Sequence, residues 1–169
     1  MPDPLLDESD VLKAFNLGRI VQIGFVVRDL KASLPYYTAI FGPFVTAHAD
    51  VDAEKLSYRG SPAASTLNIG FGSSGDVEIE LIEVESGDHP VDEHLRDHGD
   101  GIHHVSFQVE DVASKMGELM HAGFAVLMEG GPANGLRFCH LQNQAHLGHT
   151  VIELIQVAPD SAIDAGRAR

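Results

Sequence analysis

Apolar residues along this chain gather in short runs, and two kinds of spacing separate them. Residues 20–27 form one compact, β-branched run, which predicts a strand. Beyond Asp29, the residues Leu30, Leu34, Tyr37 and Phe41 recur at intervals of four, three and four, so they share one face of a helix. Asp29 can cap that helix by accepting from the free N–H groups of its first turn, and Gly42-Pro43 can end it. Pro35, inside the run, predicts a kink or a later start. Residues 44–48 open a further strand, and 50–64 read as a polar loop around Gly60-Ser61-Pro62. Residues 65–72 and 76–84 read as two strands joined through Ser73-Ser74-Gly75.

The second half repeats this order. Residues 102–109 are a strand, Asp111 is a cap, and Val112, Met116 and Leu119 stand where Leu30, Leu34 and Tyr37 stood. Gly123 takes the helix-ending role, and 124–128, 136–141 and 149–157 supply three more strands. The separation is constant at 82 positions (22 to 104, 30 to 112) and falls to 73 at the last strand (80 to 153), a difference that the longer loop 50–64 accounts for. Each half therefore reads β-α-β-β-β. One such module cannot cover both faces of its sheet; two related by a pseudo-twofold can curl their sheets around a shared site. The expected fold is α+β, two βαβββ modules paired into a cupped sheet. The expected divisions are an N-terminal extension over 1–18, with a short helix over 7–15, modules over 19–88 and 102–158, a linker over 89–101, and a tail over 159–169.

Four polar residues occupy equivalent slots of the repeated strands: Gln22 and His104, Glu80 and Glu153. Ile79-Glu80-Leu81-Ile82 and Ile152-Glu153-Leu154-Ile155 are the same word written twice. A glutamate in a strand ordinarily lies on a solvated face. Independent surface residues, however, have no reason to recur at equivalent places of an internal duplication. If these faces line the cleft, two carboxylates meet at short range, and each buried ion costs several kcal/mol unless compensated. A divalent cation removes that cost, with an imidazole and an amide oxygen completing the set. The oxygen-rich donors suit Zn, Ni, Co, Mn or Mg rather than a thiophilic metal. His103 adjoins His104, so a one-residue register slip would exchange them. His89, His94 and His98 read as solvated linker residues. His140, His146 and His149 cluster near the last hairpin, where one of them could line the cleft. Cys139 reads as a small core residue.

The formal charge of −14 opposes nucleic acid or an anionic membrane as a partner. A single cysteine excludes an internal disulfide and fits a reducing compartment, and no stretch is apolar enough for a signal peptide or a membrane span. The expectation is a soluble, cytoplasmic protein acting on a small molecule.

At Val21-Gln22-Ile23-Gly24-Phe25-Val26-Val27-Arg28-Asp29-Leu30, Ile79-Glu80-Leu81, Gly101-Ile102-His103-His104-Val105-Ser106-Phe107 and Val151-Ile152-Glu153-Leu154, the chain resembles the vicinal oxygen chelate superfamily. That superfamily includes glyoxalase I, methylmalonyl-CoA epimerase, extradiol dioxygenases and bleomycin-binding proteins. The resemblance covers about residues 20–157 and implies that the metal ligands are Gln22, Glu80, His104 and Glu153. The Gly-Ile-His-His segment is similar to the epimerase branch, and the Gln-Glu-His-Glu set to some glyoxalases. Gln22 departs from the histidine of most epimerases and argues against the two-histidine iron site of extradiol dioxygenases.

The resemblance implies a divalent-metal-dependent lyase or isomerase that moves a proton beside a carbonyl through a metal-stabilised enolate. The substrate would be a CoA thioester, a glutathione hemithioacetal or a related small molecule. Glu153 is the first candidate for the base and Glu80 the second, with Glu78, Asp50 and Asp52 as weaker ones. Arg28, Lys55, Arg59, Arg96 and Arg137 are the candidate anion contacts. The resemblance also implies a homodimer. The competing reading is a metal-free binding module that sequesters a small hydrophobic or antibiotic-like compound.

Overall fold

The computed structural model describes residues 15–133 and 136–158. The helix expected over 7–15 and the tail over 159–169 lie outside the described residues, apart from Phe15. The first half runs β1 (Ile20–Val26), α1 (Leu30–Phe41), β2 (Val45–Val51), β3 (Leu56–Tyr58), β4 (Ser61–Pro62), β5 (Ser65–Ser74) and β6 (Val77–Gly87). The second half runs β7 (Gly101–Gln108), α3 (Val112–His121), β8 (Ala125–Ala133), β9 (Leu136–Gln142), α4 (Gln144–Leu147) and β10 (Val151–Val157), with α2 (Pro90–His98) between the halves.

All ten strands form one sheet, in the order β2-β5-β6-β1-β7-β10-β9-β8-β3-β4. β1 lies parallel to β6 and β7 parallel to β10, and β1 and β7 meet antiparallel at the centre. That symmetry about the β1–β7 seam is the pseudo-twofold expected from the duplicated sequence. The result is a curled, mixed α+β sheet. Helices α1 and α3 cover its convex side, α1 through Leu30 with Val27 and Leu81, and α3 through Val112 and Leu119 with Cys139, Leu141 and Leu154.

Local chemistry explains the helix ends. Asp29 accepts from the Ala32 N–H at 2.8 Å and Asp111 from the Ser114 N–H at 3.1 Å, which satisfies otherwise orphaned donors. Pro35 neither delays nor divides α1. It and Lys31, whose carbonyl it leaves without a donor, both face solvent, where water can replace the missing bond.

Two regions differ from expectation. The loop 50–64 is not irregular throughout: it carries β3 and β4, and β3 pairs with β8, so the first half extends the far edge of the second. The linker holds the amphipathic helix α2, whose Val91 and Leu95 pack with Val26, Leu67 and Ile82 at one end of the concave face. His89 caps this helix through Nδ1, which accepts from the Val91 N–H at 3.2 Å. It is therefore buried, not solvated as expected, because capping a docked helix draws it under the chain.

Candidate metal centre

The four repeated polar residues come together on the concave face. In the sheet register, Gln22 lies beside Glu78 on β6 and Ser106 on β7, Gly24 lies beside Glu80 and His104, and Glu153 lies beside Ser106 on β7 and His140 on β9. His104 Nε2 stands 3.4 Å from Gln22 Oε1, 3.4 Å from Glu80 Oε2 and 3.5 Å from Glu153 Oε2. A single ring nitrogen carries at most one proton and cannot bond three acceptors. Ligands about 2.1 Å from a tetrahedral ion, on the other hand, stand about 3.4 Å from one another. The spacing therefore suits donors gathered around a common point.

A local irregularity aims the imidazole. His104 pairs with Gly24 and Ile102 with Phe25, so β7 carries one extra residue, His103, opposite β1. This bulge turns His103 and His104 toward each other, with their Nδ1 atoms 3.1 Å apart. The choice between the two histidines is thereby made without a register slip. Burial, reinforced by the neighbouring imidazoles, holds the His103 pKa well below its ordinary value. A neutral His103 accepts from His104 Nδ1–H, which leaves Nε2 to face the centre, as an outer partner of a metal-binding histidine should.

Electrostatics at the centre favour positive charge. Burial alone would lower the His104 pKa, but the charges of Glu153 and Glu80 outweigh it and raise it. Burial alone would raise Glu153, but His104, His140 and the Ser106 hydroxyl together hold it down, to about 2. Both carboxylates thus favour positive charge at this point, and a divalent ion would supply it.

Three further residues complete the site. Ser106 Oγ lies 2.8 Å from Gln22 Oε1 and also hydrogen-bonds Glu153, tying a donor of one half to a donor of the other. Gln22 Nε2 donates to Glu78 Oε1 at 2.7 Å, which turns the amide oxygen inward. His140 Nε2 lies 3.2 Å from Glu153 Oε1, while its Nδ1 is buried without a hydrogen-bond partner. Among the described residues, His104, His140 and Glu153 form a compact, buried group whose ligand atoms lie within 4.8 Å of one another. Ser106 was not singled out in the sequence, although two positions beyond His104 on one strand it could share that residue's face. His140 had no such signal, because its structural counterpart, opposite Glu80 on β5, is Phe71.

The cleft above this floor has a volume of about 580 Å³. His89 lines it, with a pKa that burial, and then the neighbouring His140 and His104, lower to about 3. Asp50 and Asp52 do not line it, whereas Glu78 does. Cys139 is fully buried on the opposite face, and burial pushes its thiol up to about 12, which bars it from acting as a nucleophile.

The model of the Glyoxalase/Bleomycin resistance protein/Dioxygenase superfamily matches residues 21–140. The chain belongs to that superfamily. Curated relatives within it include a 4-hydroxyphenylpyruvate dioxygenase of Caenorhabditis briggsae, 28% identical over 147 residues, covering 82% of this chain and 35% of the relative. The uncharacterized protein YqjC of Bacillus subtilis is 29% identical over 91 residues, covering 54% of this chain and 57% of the relative. The chain thus spans about a third of that dioxygenase and little more than half of YqjC. Among solved structures, a methylmalonyl-CoA epimerase variant of Streptomyces coelicolor in complex with 2-nitronate-propionyl-CoA has a TM-score of 0.60 at 26% identity, covering 85% of this chain and 97% of that one. A hypothetical protein of Bacillus halodurans has a TM-score of 0.63 at 20% identity, covering 85% of this chain and 96% of that one. The superfamily's curled sheet is the architecture described above. Among the described residues, no helix is long and apolar enough to cross a membrane.

Proposed function

We propose that this protein is a divalent-metal-dependent enzyme that moves a proton on the carbon beside a carbonyl. The observation that carries the reading is the convergence of Gln22, Glu80 and Glu153 on His104 Nε2 at 3.4–3.5 Å within a buried cleft. Gln22, Glu80, His104 and Glu153 would hold the ion, with His140 within reach through Glu153. Two carboxylates, an imidazole and an amide oxygen suit Zn, Ni, Co or Mn. A bound ion would supply Lewis-acid stabilisation of the charge that develops on the carbonyl oxygen as the proton leaves. The epimerase neighbour fits this class, since inverting a centre beside a carbonyl requires removing and returning one proton.

Proton transfer falls to the carboxylates. Glu153 is engaged by Ser106 and His140 besides facing His104, while among the described residues Glu80 meets His104 alone. A carboxylate that Ser106 and His140 both hold is a firm ligand and a weak base. The geometry therefore favours Glu80 for taking the proton, with Glu153 second, the reverse of the order expected from the sequence. Glu80→Gln keeps an oxygen donor, as Gln22 does at a central slot. It should retain the ion and lose on the order of 10²–10⁴-fold in kcat. An unchanged kcat, measured as deuterium exchange at the substrate's α-carbon, would remove Glu80 from this role.

One observation favours a second reading. His104, His140 and Glu153 together offer two imidazoles and one carboxylate, the donor set of many non-haem iron oxygenases, and a curated relative is a dioxygenase. Substrate-dependent O₂ consumption by the iron-loaded protein would favour it over proton transfer. A metal-free sequestering module remains the competitor if no ion binds.

The same reading extends to quaternary structure. Tyr36, Ile40 and Val45 are exposed around α1 and the open edge of β2, an apolar face suited to a second copy of the chain. A solution mass of twice 18.2 kDa is expected, and a mass of one chain would oppose it.

A further inference from the structure

We propose that the cleft takes a neutral substrate with an apolar body, whose oxygens meet the carboxylate floor, and that it rejects CoA thioesters and glutathione adducts. This rests on the metal-centre reading and narrows its substrate class.

The walls are one part of the case. Above Gln22, Glu80, His104 and Glu153, the cleft is enclosed by Val51, Leu67, Ile69, Phe71, Phe138 and Ile155, with Leu56 and Met128 beside them. Polar groups are confined to the floor and to His89 at its margin. Such a surface rewards an apolar body by about 25 cal/mol for each Å² it removes from water and offers a charged tail nothing. The volume of about 580 Å³ is enough to take up the whole body of a compact molecule.

Charge is the other part. Three glutamates, Glu78, Glu80 and Glu153, line the cleft, so a single divalent ion would not leave it cationic. No lysine or arginine lines it among the described residues. The five cations expected to contact an anion are placed elsewhere. Arg28 pairs with Asp100, Arg59 with Glu93, Arg96 with Asp97 and Lys55 with Asp52. Arg137 alternates with Phe138 on β9 and so points to the convex side, as Cys139 does. Glu54 and Glu129 share the adjoining hollow that Arg137 and Lys55 line, which meets the cleft at Leu56 and Phe138. Within a field of net −14, a phosphate or a glutathione carboxylate would be repelled without local relief.

The test is calorimetric titration of the metal-loaded protein with three probes: α-hydroxyacetophenone, which is neutral and carries oxygens on two adjacent carbons beside a phenyl ring, acetyl-CoA, and S-lactoylglutathione. Metal content is measured on the same sample. The neutral probe should bind at least tenfold more tightly than either anion, and Ile69→Arg should weaken it tenfold or more with metal content unchanged. Any other ranking in the native protein, including no detectable binding of the neutral probe, overturns the inference. If the ion is retained in that case, the metal-centre reading stands, whereas a protein holding no ion fails at that earlier step.

Discussion

Replacing His104 with alanine is expected to release the divalent ion and abolish turnover together. His104 contributes the imidazole about which Gln22, Glu80 and Glu153 are arranged, and alanine offers no donor in its place. Loss of an outer partner of a metal ligand typically costs roughly 10–100-fold in affinity. Loss of the ligand itself should cost at least that much, read by competition with a chelating dye. Glu153→Gln should likewise abolish turnover with the fold intact, since the amide keeps the shape and removes the charge. Full activity in either variant would take that residue out of the centre.

Gly24→Ala should damage the centre from beneath. The His104 ring lies directly over Gly24, and an added Cβ would stand 2.0 Å from Cε1, 2.2 Å from Nε2 and 2.5 Å from Nδ1. The backbone there does not require glycine, so the constraint is purely the close approach of the ring. His104 is packed on all sides and cannot yield without leaving Glu80 and Glu153. Overpacking of this kind costs about 1–3 kcal/mol, and the displaced ring should lose the ion as well. Denaturant unfolding of the metal-free protein and metal titration read the two effects separately. Gly117→Ala is the control, because nothing lies within 4 Å of the added carbon on that helix and alanine favours the helix. Wild-type stability and metal affinity in Gly24→Ala would mean that the ring does not lie where it is described.

Duplication made much of this molecule legible. The equivalence of Gln22 with His104 and of Glu80 with Glu153 needed only the matched words of the sequence, and the β1–β7 seam brings all four together. The caps at Asp29 and Asp111 are local and were equally readable. What escaped is what breaks the symmetry. His140 faces Glu153 where Phe71 faces Glu80, and nothing in the spacing of the chain announces that exchange. The bulge at His103 depends on how β7 meets a strand some eighty residues away. His89 is buried because α2 docks on the concave face, a long-range packing event that a short, acidic linker does not advertise. The cations expected to contact an anion are individually unremarkable residues, and only the folded chain shows that none of them lines the cleft.

The most direct measurement is the divalent-metal content of the purified protein by elemental analysis, before and after loading with Zn, Ni, Co or Mn. The account predicts one tightly held ion per chain, lost in His104→Ala. No stoichiometric ion in the native protein, and none gained on loading, would contradict it.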